Sequence, residues 1–312
     1  MNEIAKPAFL NSDYKLVWHD EFDGNEINPD KWSFNSAMSA KSVLNTENKE
    51  NARIENGKLV LENHRIDDSG SKCRYSTATS LTTYDTMNYR FGYVEMSAKI
   101  PFSYGGPWPS FWTKSIGGIR SRTNKDYMVE VDIFEVFSSP NHLAYTLHKW
   151  YDGEGTKHWM GVTDGYDVKN PQKINEEFHK YGFLWTESEM SFYFDGKKAA
   201  SHGITDKNNF DPDDRHTDMS GFRNDCLFLL INNMMFTDNT SWAPYEKAFV
   251  NEDTVFPIRY EAEYVRLWQQ NGIGELHIKE SARNVKLLVC KDSTKTVEAL
   301  IYKGFYGFVF EI

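Results

Sequence analysis

Tyr127-Met-Val-Glu-Val-Asp-Ile-Phe-Glu-Val-Phe137 is the stretch from which the rest of this chain can be read. Its Val, Ile, Phe and Tyr content is that of a β-strand, where successive side chains point to opposite faces. Glu130 and Asp132 therefore share one face. Strict alternation would send Glu135 to the other side, but one extra residue at Ile133–Phe134, a β-bulge, returns it to the face of Glu130 and Asp132. Three acids and no base on a short, otherwise apolar strand repel one another, which predicts a cleft. The alternative is the ordinary water-facing side of an antiparallel sheet.

Outward from this strand the same texture continues. Short runs rich in β-branched and aromatic residues recur between Gly, Asn, Asp and Ser clusters, and no long stretch keeps a 3.6-residue period. Strands are predicted at Lys58–Glu62 after the Asn56–Gly57 turn, Phe91–Ile100, Pro109–Thr113, Met128–Phe137, Ala144–Lys149, Tyr181–Trp185, Met190–Phe194, Cys226–Asn232 and Tyr260–Trp268. So many evenly spread strands predict an all-β sandwich rather than a small closed barrel. Gln269-Gln270-Asn271-Gly272 is a turn-prone break after the last strongly patterned strand. This divides the chain into an N-terminal extension (1–13), one large domain (14–270) and a tail of unassigned role (271–312). The tail carries strand-like pieces, but some 40 residues rarely sustain a core alone.

Composition narrows the partners. Across 312 residues a net charge of −10 repels phosphate backbones and offers no footprint for nucleic acid. Aromatics reach 15%, more than a core alone needs, and hint at a surface that stacks on flat apolar faces. No apolar run approaches the roughly 18 residues that span a bilayer, and the opening MNEIAKPAFLNSDYKL lacks the basic-then-apolar order of a signal peptide. Cys73, Cys226 and Cys290 are too few for a disulfide framework and lack close metal-ligand spacing, so they read as buried free thiols.

Paired carboxylates suggest a chemistry. Cleaving a glycosidic bond by double displacement takes one ionised carboxylate to attack the anomeric carbon and a second, kept protonated at neutral pH, to donate to the leaving oxygen. With the bulge, Glu130 and Glu135 stand about four strand steps apart, roughly 13 Å along the backbone, a gap that inward-leaning side chains on a curved sheet shorten. Crowded like charges push the two proton affinities apart. Asp132 is placed to support Glu130 by sharing a proton or hydrogen bond with it.

Glu130-Val-Asp-Ile-Phe-Glu135 resembles the E-x-D-x-x-E signature of family 16 glycoside hydrolases, the family of laminarinases, lichenases and agarases. The resemblance runs from about Tyr14 to Gln269. Tyr14-Lys-Leu-Val-Trp-His-Asp-Glu-Phe-Asp-Gly24 with Ile27, Asp30 and Trp32 is similar to the family's opening strand and turn, and Asn51-Ala-Arg-Ile-Glu-Asn-Gly-Lys-Leu-Val60 to its next hairpin. Tyr93–Pro101, Trp108-Pro-Ser-Phe-Trp112, Phe178–Trp185, Phe194-Asp-Gly-Lys197 and Glu263–Trp268 follow in the family's order. The resemblance implies a jelly-roll sandwich of two curved antiparallel sheets with a concave substrate cleft. It makes Glu130 the nucleophile, Asp132 its helper and Glu135 the acid/base.

By the same resemblance Trp108 and Trp112, evenly spaced on one strand, form a platform for sugar rings, with core packing as the alternative. His148 lines the cleft, and Asn232 and Asn51 contact sugar. A hydrogen-bonded strand histidine and a strand-end cap are the alternatives for His148 and Asn232. Two departures matter for substrate and metal. Lys125 stands where many glucan-cleaving members have tryptophan, in a basic loop, Arg120-Ser-Arg-Thr-Asn-Lys125, that suits sulfate or carboxylate on a galactan. Glu263 replaces the Asp near which some members bind a structural calcium, and no metal or other cofactor is assigned. The expectation is a monomeric, secreted, periplasmic or cell-surface endo-hydrolase of polysaccharide, acting on β-1,3- or β-1,3-1,4-glucan. Its alternatives are an agar-, porphyran- or carrageenan-type galactanase, a transglycosylase and a non-catalytic sugar-binding sandwich.

Overall fold

In a computed structural model, the described residues are 4–34, 43–67, 70–71, 73–115, 127–151, 157–167, 172–204, 221–237, 246–279, 288–292 and 295–299. The basic loop at 120–125 lies outside them. The strands in chain order are β1 (Tyr14–Asp20), β2 (Ser33–Phe34), β3 (Val43–Thr46), β4 (Ala52–Ile54), β5 (Leu59–Arg65), β6 (Tyr75–Ala78), β7 (Leu81–Thr82), β8 (Met87–Arg90), β9 (Gly92–Lys99), β10 (Pro107–Ser115), β11 (Tyr127–Glu135), β12 (His142–Tyr151), β13 (Lys157–Asp167), β14 (His179–Trp185), β15 (Glu189–Phe194), β16 (Lys197–Gly203), β17 (Leu227–Met235), β18 (Ile258–Gln270), β19 (Glu275–Ile278), β20 (Leu288–Asp292) and β21 (Lys295–Ala299). Two short helices, α1 (Gln172–Glu176) and α2 (Gly221–Asn224), interrupt them. All nine strands predicted from sequence are present.

The architecture is an all-β jelly-roll sandwich. One sheet runs β16-β15-β14-β9-β18-β5-β6-β3, with β1 on β18 and β4 on β5; the other runs β13-β12-β11-β10-β17-β7-β2, with β8 and β19 attached. Alternation along each strand sends one set of side chains between the sheets, and burying them supplies the main stabilisation. Leu61, Val94, Met96, Phe183 and Leu267 from the first sheet meet Phe111, Val131, Ile133, Leu147 and Ile231 from the second in one continuous core. Aromatic rings clasp across the layers: Phe134 lies 4.4 Å from Tyr181, and Tyr145 stacks on Phe192 at 5.0 Å between centroids.

Described residues on each side of the central stretch engage the sandwich. Leu10 packs with Tyr93, Tyr193 and Trp268 on the outer side of the first sheet, and Phe9 stacks on Tyr193. Past residue 270 the chain returns as β19, which pairs with β8 from Glu275↔Arg90 to Ile278↔Met87, with Leu276 against the main core. β20 and β21 pair with each other.

Candidate active site

The second sheet's outer face carries the site, and β11 sits in its middle between β10 and β12. The predicted bulge is there. Against β12 the register runs Asp132↔Thr146 and then Glu135↔Ala144, so Ile133 and Phe134 together oppose Tyr145 alone. Both bulged side chains are fully buried in the core, where apolar contact holds the extra residue. Glu135 is thereby returned to the face of Glu130 and Asp132. The strand's end is fixed by Ser138, whose φ of 49° is rare for a residue with a side chain and whose Oγ accepts the Gly106 N–H at 2.9 Å. A Cβ at Gly106 would meet Val250 at 2.5 Å, so the turn into β10 requires glycine.

The neighbouring strands supply the rest. On β10, Ser110 faces Glu135, Trp112 faces Asp132 and Lys114 faces Glu130; on β12, His148 faces Glu130. Trp108 donates its indole N–H to Glu135 Oε1 at 2.9 Å, and Trp112 donates to Asn232 Oδ1 at 3.0 Å. His148 Nε2 stands 2.9 Å from Asp132 Oδ2 and 3.9 Å from Glu130 Oε1.

These contacts set the charges. Burial first, and then the negative charge of Asp132, push the Glu135 carboxyl well above the usual carboxylate range, opposed by the Trp108 N–H. Asp132 is raised by burial and by the charge of Glu130, and it shares a hydrogen bond with Glu135. Burial lowers the His148 imidazole, against the pull of Glu130 and Glu135, and favours its neutral form. The trio is thus built to keep a proton, with Asp132 under the influence of both Glu130 and Glu135.

The two tryptophans are only 6% and 7% exposed. Trp108 stacks on Phe236 at 5.0 Å, and Trp112 packs with Phe228 and Leu230, so both rings are largely wall, with their N–H groups aimed at site side chains. Asn51 is a correction. It is fully buried, and its amide donates to the Glu62 carbonyl at 2.7 Å and to Ser76 Oγ at 3.2 Å, tying β4 to β5 and β6 and not joining the carboxylates. Glu263 Oε2 accepts from Ser97 Oγ at 2.7 Å, and no cluster of three His, Cys, Asp or Glu ligands includes it among the described residues. Ser110 and Lys114 went unread in the sequence, although both keep the even spacing from Trp108 and Trp112 that puts them on the same face.

The family model of Glycosyl hydrolases family 16 matches residues 33–219. This chain belongs to that family. Among curated relatives, Glucan endo-1,3-beta-glucosidase A1 of Niallia circulans is 25% identical over 204 residues, 58% of this chain and 28% of that protein. Kappa-carrageenase of Pseudoalteromonas carrageenovora is 25% identical over 276 residues, 81% of this chain and 64% of that protein. The family 16 chain thus spans less than two thirds of the length of either relative. Of solved structures, the laminarinase catalytic domain from Thermotoga maritima MSB8 superposes with a TM-score of 0.63 at 24% identity, covering 83% of this chain and 99% of that one. That likeness is one of fold.

Proposed function

We propose that this family 16 chain is an endo-acting, retaining glycoside hydrolase of β-linked polysaccharide, with β-1,3- or β-1,3-1,4-glucan as substrate. The observation that carries this reading is the carboxylate trio of β11, gathered on one face by the bulge, with Glu135 raised and held by Trp108. Glu135, protonated, donates to the glycosidic oxygen as the carboxylate of Glu130 attacks the anomeric carbon, giving a glycosyl ester and a free chain end. Glu135, now ionised, takes a proton from water, and that water opens the ester with net retention. Asp132, bonded to Glu135 and beside the neutral His148, governs where the proton rests between the two half-reactions. Asn232, anchored by Trp112, is the sugar-contacting amide.

A face that runs across four strands, β12, β11, β10 and β17, suits the middle of a polymer more than its end. Such a polymer does not cross a membrane, so the reading puts the enzyme's work outside the cytoplasm, in secreted, periplasmic or cell-surface form. No helix among the described residues is long and apolar enough to span a bilayer. One chain carries the whole trio, so a monomer suffices. A second reading, an endo-hydrolase of carrageenan- or agar-type galactan, is favoured by the kappa-carrageenase relative, which matches most of the chain.

The test is digestion of laminarin, lichenan, agarose, porphyran and carrageenan, with the anomer of the first-released ends read by NMR. The reading expects laminarin or lichenan oligosaccharides of mixed length with β-anomers first. α-anomers, or monosaccharide alone, would overturn it; cleavage confined to a galactan would promote the second reading. Products longer than the starting chains under excess acceptor sugar would identify a transglycosylase.

A further inference from the structure

Far along the same sheet the fold gathers three side chains that the proposed reaction does not use. Cys226 at the entrance of β17 and Glu275 and His277 on β19 bring a thiol sulfur, a carboxylate oxygen and an imidazole nitrogen all within 4.8 Å of one another. The register explains the meeting. β19 lies on β8 with Glu275↔Arg90 and His277↔Asn88, and β8 meets β17 at Tyr89↔Leu227, next to Cys226. Leu276 points into the core, so Glu275 and His277, two apart, share the opposite face. Cys226 continues the alternation of Phe228, Leu230 and Asn232, which sets the cluster roughly 20 Å along the strand from Asn232.

The chemistry of the donors is selective. Thiolate, imidazole and carboxylate together suit a borderline-soft ion such as zinc, whereas calcium and magnesium take oxygen ligands. Glu275 Oε2 and His277 Nε2 are 3.5 Å apart, close to the roughly 3.3 Å between two ligands on a tetrahedral ion with bonds near 2.0–2.1 Å. Arg90 donates to the other oxygen, Oε1, which turns Oε2 toward the imidazole as outer-shell partners of metal ligands do. Cys226 is buried, at 7% exposure, while the His277 side chain is 44% exposed, so an ion has both a shielded anchor and a way in.

We propose that Cys226, Glu275 and His277 form a binding site for a zinc-class divalent transition metal, with water as fourth ligand. The ion staples β19 to the start of β17 and so fastens the chain beyond residue 270 to the sandwich. The site is independent of the carboxylate trio and of the reaction assigned to it.

Cobalt(II) titration of the full chain, stripped of metal with chelator, reads the site through its thiolate. One equivalent should produce a thiolate-to-cobalt charge-transfer band that zinc abolishes, and saturating zinc should raise Tm by on the order of 5 °C. Cys226→Ser should remove the band, Cys73→Ser should leave it, and His277→Asn should weaken cobalt binding at least tenfold with circular dichroism unchanged. His277→Asn carries the test if the buried serine unfolds the chain. Absence of the band, its survival in Cys226→Ser, or unaltered cobalt affinity in His277→Asn would overturn the proposal.

Discussion

Glu135 has neighbours that pull its proton affinity in opposite directions. Burial and Asp132 raise it, while the Trp108 N–H favours the ionised form. Asp132→Asn removes the negative charge and leaves an amide able to donate, so both changes lower the Glu135 pKa. The alkaline limb of kcat/KM, which reports loss of the acid's proton in free enzyme, should therefore move to lower pH. A limb that stays put or moves up contradicts the assigned coupling. Glu135→Ala should slow polysaccharide cleavage by about 10²–10⁴-fold and spare aryl glycosides with good leaving groups, because acid assistance matters most when the departing oxygen is basic. Azide should restore part of the lost rate by trapping the glycosyl-enzyme; equal losses on both substrates without rescue point to another acid.

At this scale the sequence was informative where spacing decides and silent where partners do. Glu130, Asp132 and Glu135 are separated by counts that a strand and one bulge convert into a shared face. Asn51 lies in a stretch as family-like as theirs, yet its environment comes from Glu62 and Ser76 on other strands, and no local pattern announces that its side-chain N–H groups are already used.

Among elements, the bulge in β11 connects packing to chemistry. Phe134, one of its two residues, sits 4.4 Å from the ring of Tyr181, 6.3 Å from Tyr260 and 6.5 Å from Phe111, so the core clamps the residue that immediately precedes Glu135. Phe134→Ala should cost about 3–5 kcal/mol in denaturant unfolding, as for other large-to-small changes in a dense core. It should also depress turnover by loosening Glu135. A loss below about 1 kcal/mol would show that the bulge is not held by the core, since truncations in such sites rarely cost so little. Strands with apolar alternation were legible one by one. β13 was not, because Gly161, Asp164 and Gly165 interrupt it, nor was β16, whose Lys197, Lys198, Ser201 and Gly203 leave no buried stripe.

For the whole molecule, strand period indicated a sandwich but not its order. β9 lies between β14 and β18, and β10 pairs with β17 as well as with its chain neighbour β11; the β9–β14, β9–β18 and β10–β17 pairings join residues far apart in the chain and follow no local signal. The jelly-roll expectation came from motif order along Tyr14 to Gln269, and the meeting of Cys226 with β19 lay outside what either motif or period shows. In the proposed reaction Glu130, carried on β11 across the middle of this sheet, forms the covalent bond to sugar. An activated 2-deoxy-2-fluoro β-1,3-gluco-oligosaccharide slows breakdown of such an ester, so intact-mass and peptide mapping can locate it. The expected result is a mass increase of one fluoro-oligosaccharyl group on the peptide containing Tyr127–Glu135, with the ester at Glu130 and none in Glu130→Gln; a label on Glu135, or full turnover in Glu130→Gln, would overturn Glu130 as the nucleophile.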